Sequence, residues 1–486
     1  MAVEDRESSV LDAARCGACV AVLIYHVTMA ALIPVTIGRS EAYAAFRGSV
    51  ALKAGNAGSA GVDMFFVLCA LLATRSLMRR LEAAKGPWEQ LKVVVRYWKE
   101  RAWRLLPLSW ACLALSTLVT YIYLDCETSV AVVHDGLPEG GILMSSCRSE
   151  LPSTAPVDSE QWAALSMSWF NNFHGVHSLL PNLLAYSNNL GLESFMTFTW
   201  SLSLQLQFFA LLPVILASLL PRVPGFRRRV AAAAAASMLY CMMHRSELVE
   251  QGIAFPFPMF GTSHGAATDP SEEAAYWTMY FSSASRAGEF GAGALLAVFH
   301  DIYTRQARPH ASQQWMLATL LGVAALAVVL PAMWISPISE TPTTDKYSQW
   351  FQQLCFNVFF TCPVSAFAWG LLVLLAIEQA GLVGWALAWA AQRLSWATKP
   401  IARLSYAIFH VQAWTILATW RFAMPAMGLK QDDVLSGGLG AGLYLSVVLS
   451  TTYVAAVSMH KALVCPFYVP AWSKASVHGR VKHKAS

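Results

Sequence analysis

Charge is scarce in this sequence. Lys, Arg, Asp and Glu supply 13% of the 486 residues, against 56% hydrophobic ones, whereas a soluble domain carries about 25% charged residues. No long polybasic tract with interleaved aromatics occurs, so nucleic acid is not an expected partner. No segment repeats at a fixed period or reads as collagen-like; Ala231 to Ala236 is an alanine run inside an apolar stretch. No N-x-S/T sequon is present, so glycosylation cannot report which side of a membrane a loop occupies. The N-terminus also lacks the basic leader of a cleavable signal, because Glu4, Asp5, Glu7 and Asp12 accompany Arg6 and Arg15. The first apolar segment is therefore expected to stay as an uncleaved anchor.

Metal-ligand patterns are equally sparse. Cys16 and Cys19 form a C-x-x-C in an apolar helical run with no second pair, and His174 and His177 form an H-x-x-H without a third ligand. Neither is the full ligand set of a metal centre, and no metal is expected. Cys126 and Cys147 share one long loop, which leaves open a disulfide or two free thiols.

What the chain has instead is long apolar runs. A bilayer core takes roughly 20 apolar residues in helix, and about ten such segments can be read. They lie near 12–33, 61–78, 105–124, 196–220, 230–244, 281–300, 314–336, 355–378, 401–421 and 436–464. The Trp-rich stretch 381–392 is too short for a further crossing and reads as an interfacial helix or an extension of the eighth span. The fold class is all-α: a polytopic transmembrane bundle forming one domain over 1–486.

Lys and Arg orient it, because they concentrate in cytoplasmic loops. Arg75, Arg79, Arg80, Lys85, Lys92, Arg96, Lys99, Arg101 and Arg104 lie between spans two and three. Arg222 and Arg227 to Arg229 follow span four, Arg305 and Arg308 follow span six, and Arg393, Lys399 and Arg403 precede span nine. All fall on the side of the basic tail at about 465–486 if the spans alternate. Both termini are thus expected in the cytoplasm, with exofacial loops at about 125–195 and 245–280. Arg39, Arg47 and Lys53 are the main exceptions.

Ionisable groups inside spans are costly, which makes them candidates for function. Arg15 and His26 on the first span are eleven residues apart, which returns to within about 20° of one helix face over roughly 16 Å. A histidine titrates near neutrality and can take a proton from an attacking hydroxyl. A satisfied core histidine and a snorkelling arginine are the bland alternative. Arg101 and Arg104 sit one turn apart just before Pro107, where the third span is expected to begin. Two guanidinium forks and a helix N-terminus would bind phosphate; anchoring in the inner headgroups explains them as well. Ser203 and Gln205 lie on a polar strip in span four, Arg286 and Glu289 are three apart in span six, and Asp63 precedes Phe65 and Phe66.

In this order, the segments resemble the acyltransferase-3 family of membrane acyltransferases. Arg15 and His26 are similar to its R-x10-H, and Gly61 to Leu68 (G-V-D-M-F-F-V-L) to the opening of its second span. Arg101, Arg104 and Pro107 resemble its R-x-x-R with a trailing proline, and Trp200 to Ser203 its W-S-L-S. Arg286 with Gly291 and Gly293, and Ser405-Tyr406 near the end, complete a match from Arg15 to about Gln412. The resemblance implies an O-acyltransferase that moves an acyl group, acetyl foremost, from cytosolic acyl-CoA to a hydroxyl of a glycan, lipid or small molecule. It implies His26 as base, Arg15 beside it, and Arg101 with Arg104 on the coenzyme A phosphates, with Asp63, Ser203, Gln205, Arg286 and Tyr406 in support. Three positions depart from the pattern: Gln205 replaces a glutamate, Cys69-Ala70 replaces Ser-Gly, and Gln412 replaces a histidine, with His410 two residues away. An amide cannot act as a base, so a transport or lipid-handling protein on the same fold stays open. Multi-pass integration among membrane lipids is expected on either reading.

Overall fold

The computed structural model describes residues 3–38, 58–123, 183–184, 200–219, 221–251, 282–305, 311–334, 363–429, 434 and 438–464. The paired-loop cysteines Cys126 and Cys147, the His174/His177 pair, Arg39, Arg47, Lys53 and the basic tail lie outside these residues. Among the described residues the secondary structure is helical, without strands. In chain order the helices are α1 (Val3–Gly38), α2 (Ser59–Ala83), α3 (Pro87–Tyr123), α4 (Trp200–Ser218), α5 (Phe226–Glu250), α6 (Ser283–Arg305), α7 (Ala311–Trp334), α8 (Pro363–Glu378), α9 (Gly381–Arg393), α10 (Ser395–Ala418) and α11 (Gly438–Met459). Short π-helical turns follow α10 at Thr419–Ala423 and α11 at His460–Val464.

The described part of each of the ten expected segments is helical. Among the described residues, five stretches are long and apolar enough to cross a membrane: Asp5–Val27, Ala60–Ala83, Trp200–Ser218, Gln313–Leu330 and Leu439–Ala462. A sixth arises if α8 and α9, bent by 77°, count as one broken span. The break has a backbone cause. Gln379 and Gly381 both adopt positive φ, at 52° and 69°, which ends α8 and starts α9 in a new direction.

Two boundaries differ from expectation for physical reasons. α3 is one helix from Pro87, and Pro107 lies inside it rather than at its start. Proline is favoured at a first helical position, and here Pro87 fills that role. The free N–H groups expected near Arg101 and Arg104 are therefore absent, and any anion there must rely on side chains. α5 runs on to Glu250, into the segment expected as a loop from 245, because Arg245 is fully buried in the helical core.

α2 and α6 form the centre. α6 packs between α5 and α2, α2 also meets α1, α4 and α8, and α1 packs against α10. Two glycines allow the close approach of α6 to both neighbours. A Cβ on Gly291 would come 2.7 Å from the Ala234 carbonyl oxygen of α5, and one on Gly293 would overlap the Val67 carbonyl of α2. The packing behind them is apolar: Val67, Leu71, Ala292, Leu296 and Val373 share one buried cluster.

Ion pairs tie several helix ends to one face. Arg75 of α2 meets Glu7 of α1 at 2.5 Å, and Arg80 of α2 meets Glu100 of α3 at 2.9 Å. Arg227 of α5 reaches Glu82 of α2 at 2.8 Å and Asp301 of α6 at 2.5 Å. Arg6 of α1 donates to Gln379, just past α8, at 2.8 Å. The basic segments that the sequence assigns to one side thus converge in space.

Gly293→Ala should destabilise the bundle by about 1–3 kcal/mol through overpacking against backbone. Gly17→Ala, with nothing within 4 Å of its added carbon, should be neutral or slightly stabilising. Thermal melting of the detergent-solubilised protein checks both; equal melting temperatures would contradict the packing account.

Candidate functional site

The bundle encloses a cavity of about 620 Å³ between α1, α2, α3, α4 and α10. Its outer end is cationic. Arg15 from α1, Arg101 and Arg104 from α3, and Arg403 from α10 all line it, with Asp12 and His460 beside them. Arg104 and Arg403 are exposed, so this end opens at the surface. Asp12 lies 3.7 Å from Arg15 and offsets one charge of the group.

Arg101 is held by aromatic faces. Its guanidinium carbon sits 5.1 Å from the Tyr97 ring centre and 4.6 Å from that of Phe209. Such contacts position a cation without neutralising it. Burial pushes the Tyr97 hydroxyl up to about 12 against the pull of Arg101, so this ring stays neutral. On α4, Ser201, Gln205 and Phe209 recur every four residues and face the cavity on one stripe. Ser203 is buried and is not among the lining residues, as the turn of about 200° over two positions dictates. The Tyr406 ring lines the wall, and its hydroxyl donates to the Leu105 carbonyl at 2.6 Å, fastening α10 to α3.

The inner end is apolar. Val62, Phe65 and Phe409 line it, and His26 is not among the lining residues. Arg15 and His26 therefore share a helix face without sharing this cavity. The imidazole lies one turn beyond Val22, half-buried, beside the Gln412 side chain on α10. Gln412 follows Phe409, a residue of the cavity wall, by one turn of α10.

Asp63 and Arg286 are brought together elsewhere. Arg286 Nη1 donates to Asp63 Oδ1 at 2.6 Å and to Glu289 Oε1 at 2.8 Å, and its guanidinium lies 5.3 Å from the Trp200 ring centre. All three ionisable side chains are buried, and Arg245 of α5 adds a second buried cation to the field at Asp63. Two acids and two arginines give a formally neutral group linking α2, α5 and α6, outside the cavity. Arg286 and Glu289 do pair, as their spacing allows, with Asp63 as the additional partner.

Several residues of this geometry escape sequence reasoning. Arg403 reads as one more basic residue before a span, His460 ends the last helix, and Arg245 lies at the edge of an alanine-rich segment. A π-helical turn beginning at His460 lies at the cavity, a setting where such turns recur. It carries no signature in a single sequence.

Several helices long and apolar enough to cross a bilayer define a class consistent with membrane proteins. The chain matches the family model described as Acyltransferase domain over residues 9–460, and it belongs to the acyltransferase-3 family. No curated protein and no solved structure matches it.

Asp63→Ala should cost about 3–5 kcal/mol, since it strands buried guanidinium charge in an apolar interior. Arg96→Ala removes an exposed pair with Glu100 and should cost at most about 1 kcal/mol. Unfolding of the two purified variants compares them directly. A stable Asp63→Ala protein would show that the buried cluster does not hold the helices.

Proposed function

We propose that the chain is a membrane-embedded O-acyltransferase that moves an acyl group, acetyl foremost, from acyl-CoA to a hydroxyl of a glycan, lipid or small molecule. The observation that carries this reading is the polarity of the cavity, with four guanidinium groups at its open end and aromatic and aliphatic side chains at its closed end. Coenzyme A is a polyanion at its nucleotide end and bears its acyl group at the far end of a slender arm. Its phosphates match the guanidinium forks of Arg101, Arg104 and Arg15, and the thioester arm matches the inner space. Family membership supports the acyl-transfer chemistry.

His26 is the proposed general base. Reaction requires Phe65 and Phe409 to move so that the thioester meets an acceptor hydroxyl beside the imidazole, and the acceptor comes from the bilayer or the opposite side. The basic face is taken as cytoplasmic, with ten spans in one domain and both termini inside. Convergence of the basic helix ends supports that orientation. Cytosolic donor and non-cytosolic acceptor would then meet across the α1/α10 interface.

The alternative, a transport or lipid-handling protein of the same fold, has one observation in its favour: the cavity ends before His26. Membranes carrying the chain, incubated with radiolabelled acetyl-CoA, separate the two. Stable label on a lipid or glycan supports transfer; accumulation of an unmodified solute supports transport. Replacing both Arg101 and Arg104 by Ala should weaken acyl-CoA binding by about 10–100-fold for each guanidinium lost, because each charge-assisted bond contributes about 1.5–3 kcal/mol. His26→Ala should abolish transfer at unchanged expression, and undiminished turnover would refute its role as base.

A further inference from the structure

The donor site described above leaves Arg403 without a task. It lies on α10 and lines the cavity together with Arg15, Arg101 and Arg104. A bond close by fixes where α10 stands. Tyr406, one turn further along, donates to the Leu105 carbonyl of α3 at 2.6 Å, and Leu105 directly follows Arg104. The two helices are thus pinned beside the positions that carry Arg403 and Arg104. Both of these arginines are exposed, whereas Arg15 and Arg101 are half-buried. Arg15 has Asp12 at 3.7 Å, and Arg101 lies against the rings of Tyr97 and Phe209. Arg403 meets no acid and makes no hydrogen bond among the described residues.

Charge decides what such a lining accepts. Four arginines and Asp12 give it a formal charge of +3. The diphosphate of coenzyme A carries about two negative charges, one for each phosphorus. Alone it leaves a guanidinium uncompensated beside apolar walls, which is unfavourable. Coenzyme A also bears a phosphate monoester on the 3′ position of its ribose, and a monoester brings about −1.5 to −2 more at pH 7. The order of groups along the molecule is fixed as well. With the thioester arm inside the cavity, the diphosphate follows and the ribose lies outermost. The diphosphate then falls to the half-buried Arg15 and Arg101, and the ribose phosphate to the exposed Arg104 and Arg403.

We propose that Arg403, with Arg104, holds the 3′-phosphate and thereby sets the donor class: thioesters of intact coenzyme A. Donors without that group, such as 3′-dephospho-coenzyme A or phosphopantetheine on a carrier protein, bind less well. This rests on the acyl-CoA reading above and concerns the same cavity. A guanidinium presents two parallel N–H groups to a phosphate, and a lysine supplies the charge without the fork. A phospholipid headgroup offers similar chemistry to an exposed arginine near a bilayer surface, and the test separates the two.

Coenzyme A and 3′-dephospho-coenzyme A are titrated into the detergent-solubilised full chain, and both affinities are measured by calorimetry. The wild-type chain should prefer coenzyme A by about 10–100-fold, the effect of losing one charge-assisted contact. Arg403→Gln should weaken coenzyme A by that factor and leave 3′-dephospho-coenzyme A within about twofold, so the preference disappears. Arg104→Gln should shift the preference in the same direction, and Arg403→Lys should keep part of it. Arg101→Gln should weaken both nucleotides and keep the preference. Equal weakening of both nucleotides by Arg403→Gln overturns the proposal, because it marks a diffuse field. Wild-type affinities in Arg403→Gln also overturn it, and loss of copurifying anionic phospholipid in that variant would then mark a headgroup anchor. A wild-type chain that binds both nucleotides alike leaves the acyl-CoA reading standing and removes only the task of Arg403. One that binds neither refutes the acyl-CoA reading itself.

Discussion

A charge inside an apolar helical bundle has to be matched by another charge, by oriented dipoles or by water, because the uncompensated cost is several kcal/mol. That constraint sorts the cations of this protein. Arg286, together with Asp63, Glu289 and nearby Arg245, is sealed in the centre and links α2, α5 and α6. Arg75, Arg80 and Arg227 pair with acids at helix ends on one face. Arg15, Arg101, Arg104 and Arg403 face a cavity that opens at the surface. The sealed set serves the fold, whereas the cavity set lies where the bundle opens at the surface.

The central cluster also accounts for the shape of the site. Asp63 is fixed to Arg286, and α2 therefore presents its neighbours Val62 and Phe65 to the inner end of the cavity. Gly293 lets α6 come against α2 on the other side, which holds that helix between α1 and α6. α10 is fastened to α3 through Tyr406 and Leu105, with Phe409 in the same cavity wall as Phe65 and Gln412 beside His26. Stability and site geometry thus share the same few contacts. The family motifs around Asp63, Arg286 and Tyr406 read in the sequence as support for a site, and in the folded chain their visible contacts join helices.

Gln412 changes meaning in the same way. Set beside the family pattern, an amide in place of a histidine counts as the loss of a titrating group. In the folded chain its side chain is instead buried beside His26, at the contact of α10 with α1. Gln205 allows no such revision from the described contacts; it lines the cavity with Ser201 and Phe209 and contributes polarity to the wall.

The sequence by itself determined the helical class, the apolar segments, the clustering of basic residues at alternate helix ends, and the family. These follow from local composition and spacing, which the chain carries at every position irrespective of its folding. It also placed Arg15, Arg101 and Arg104 near the start of their expected spans, and the cavity gathers all three. Only the tertiary structure decided that Pro107 sits within a continuous helix, that Arg245 joins Asp63 and Arg286, that Arg403 and His460 reach the cavity, and that His26 meets Gln412 beyond it. Each of those depends on how helices far apart in sequence are rotated against one another. A periodic apolar pattern sets which face turns inward, but not which neighbour that face meets, since any apolar surface packs acceptably against any other until particular polar atoms must find partners.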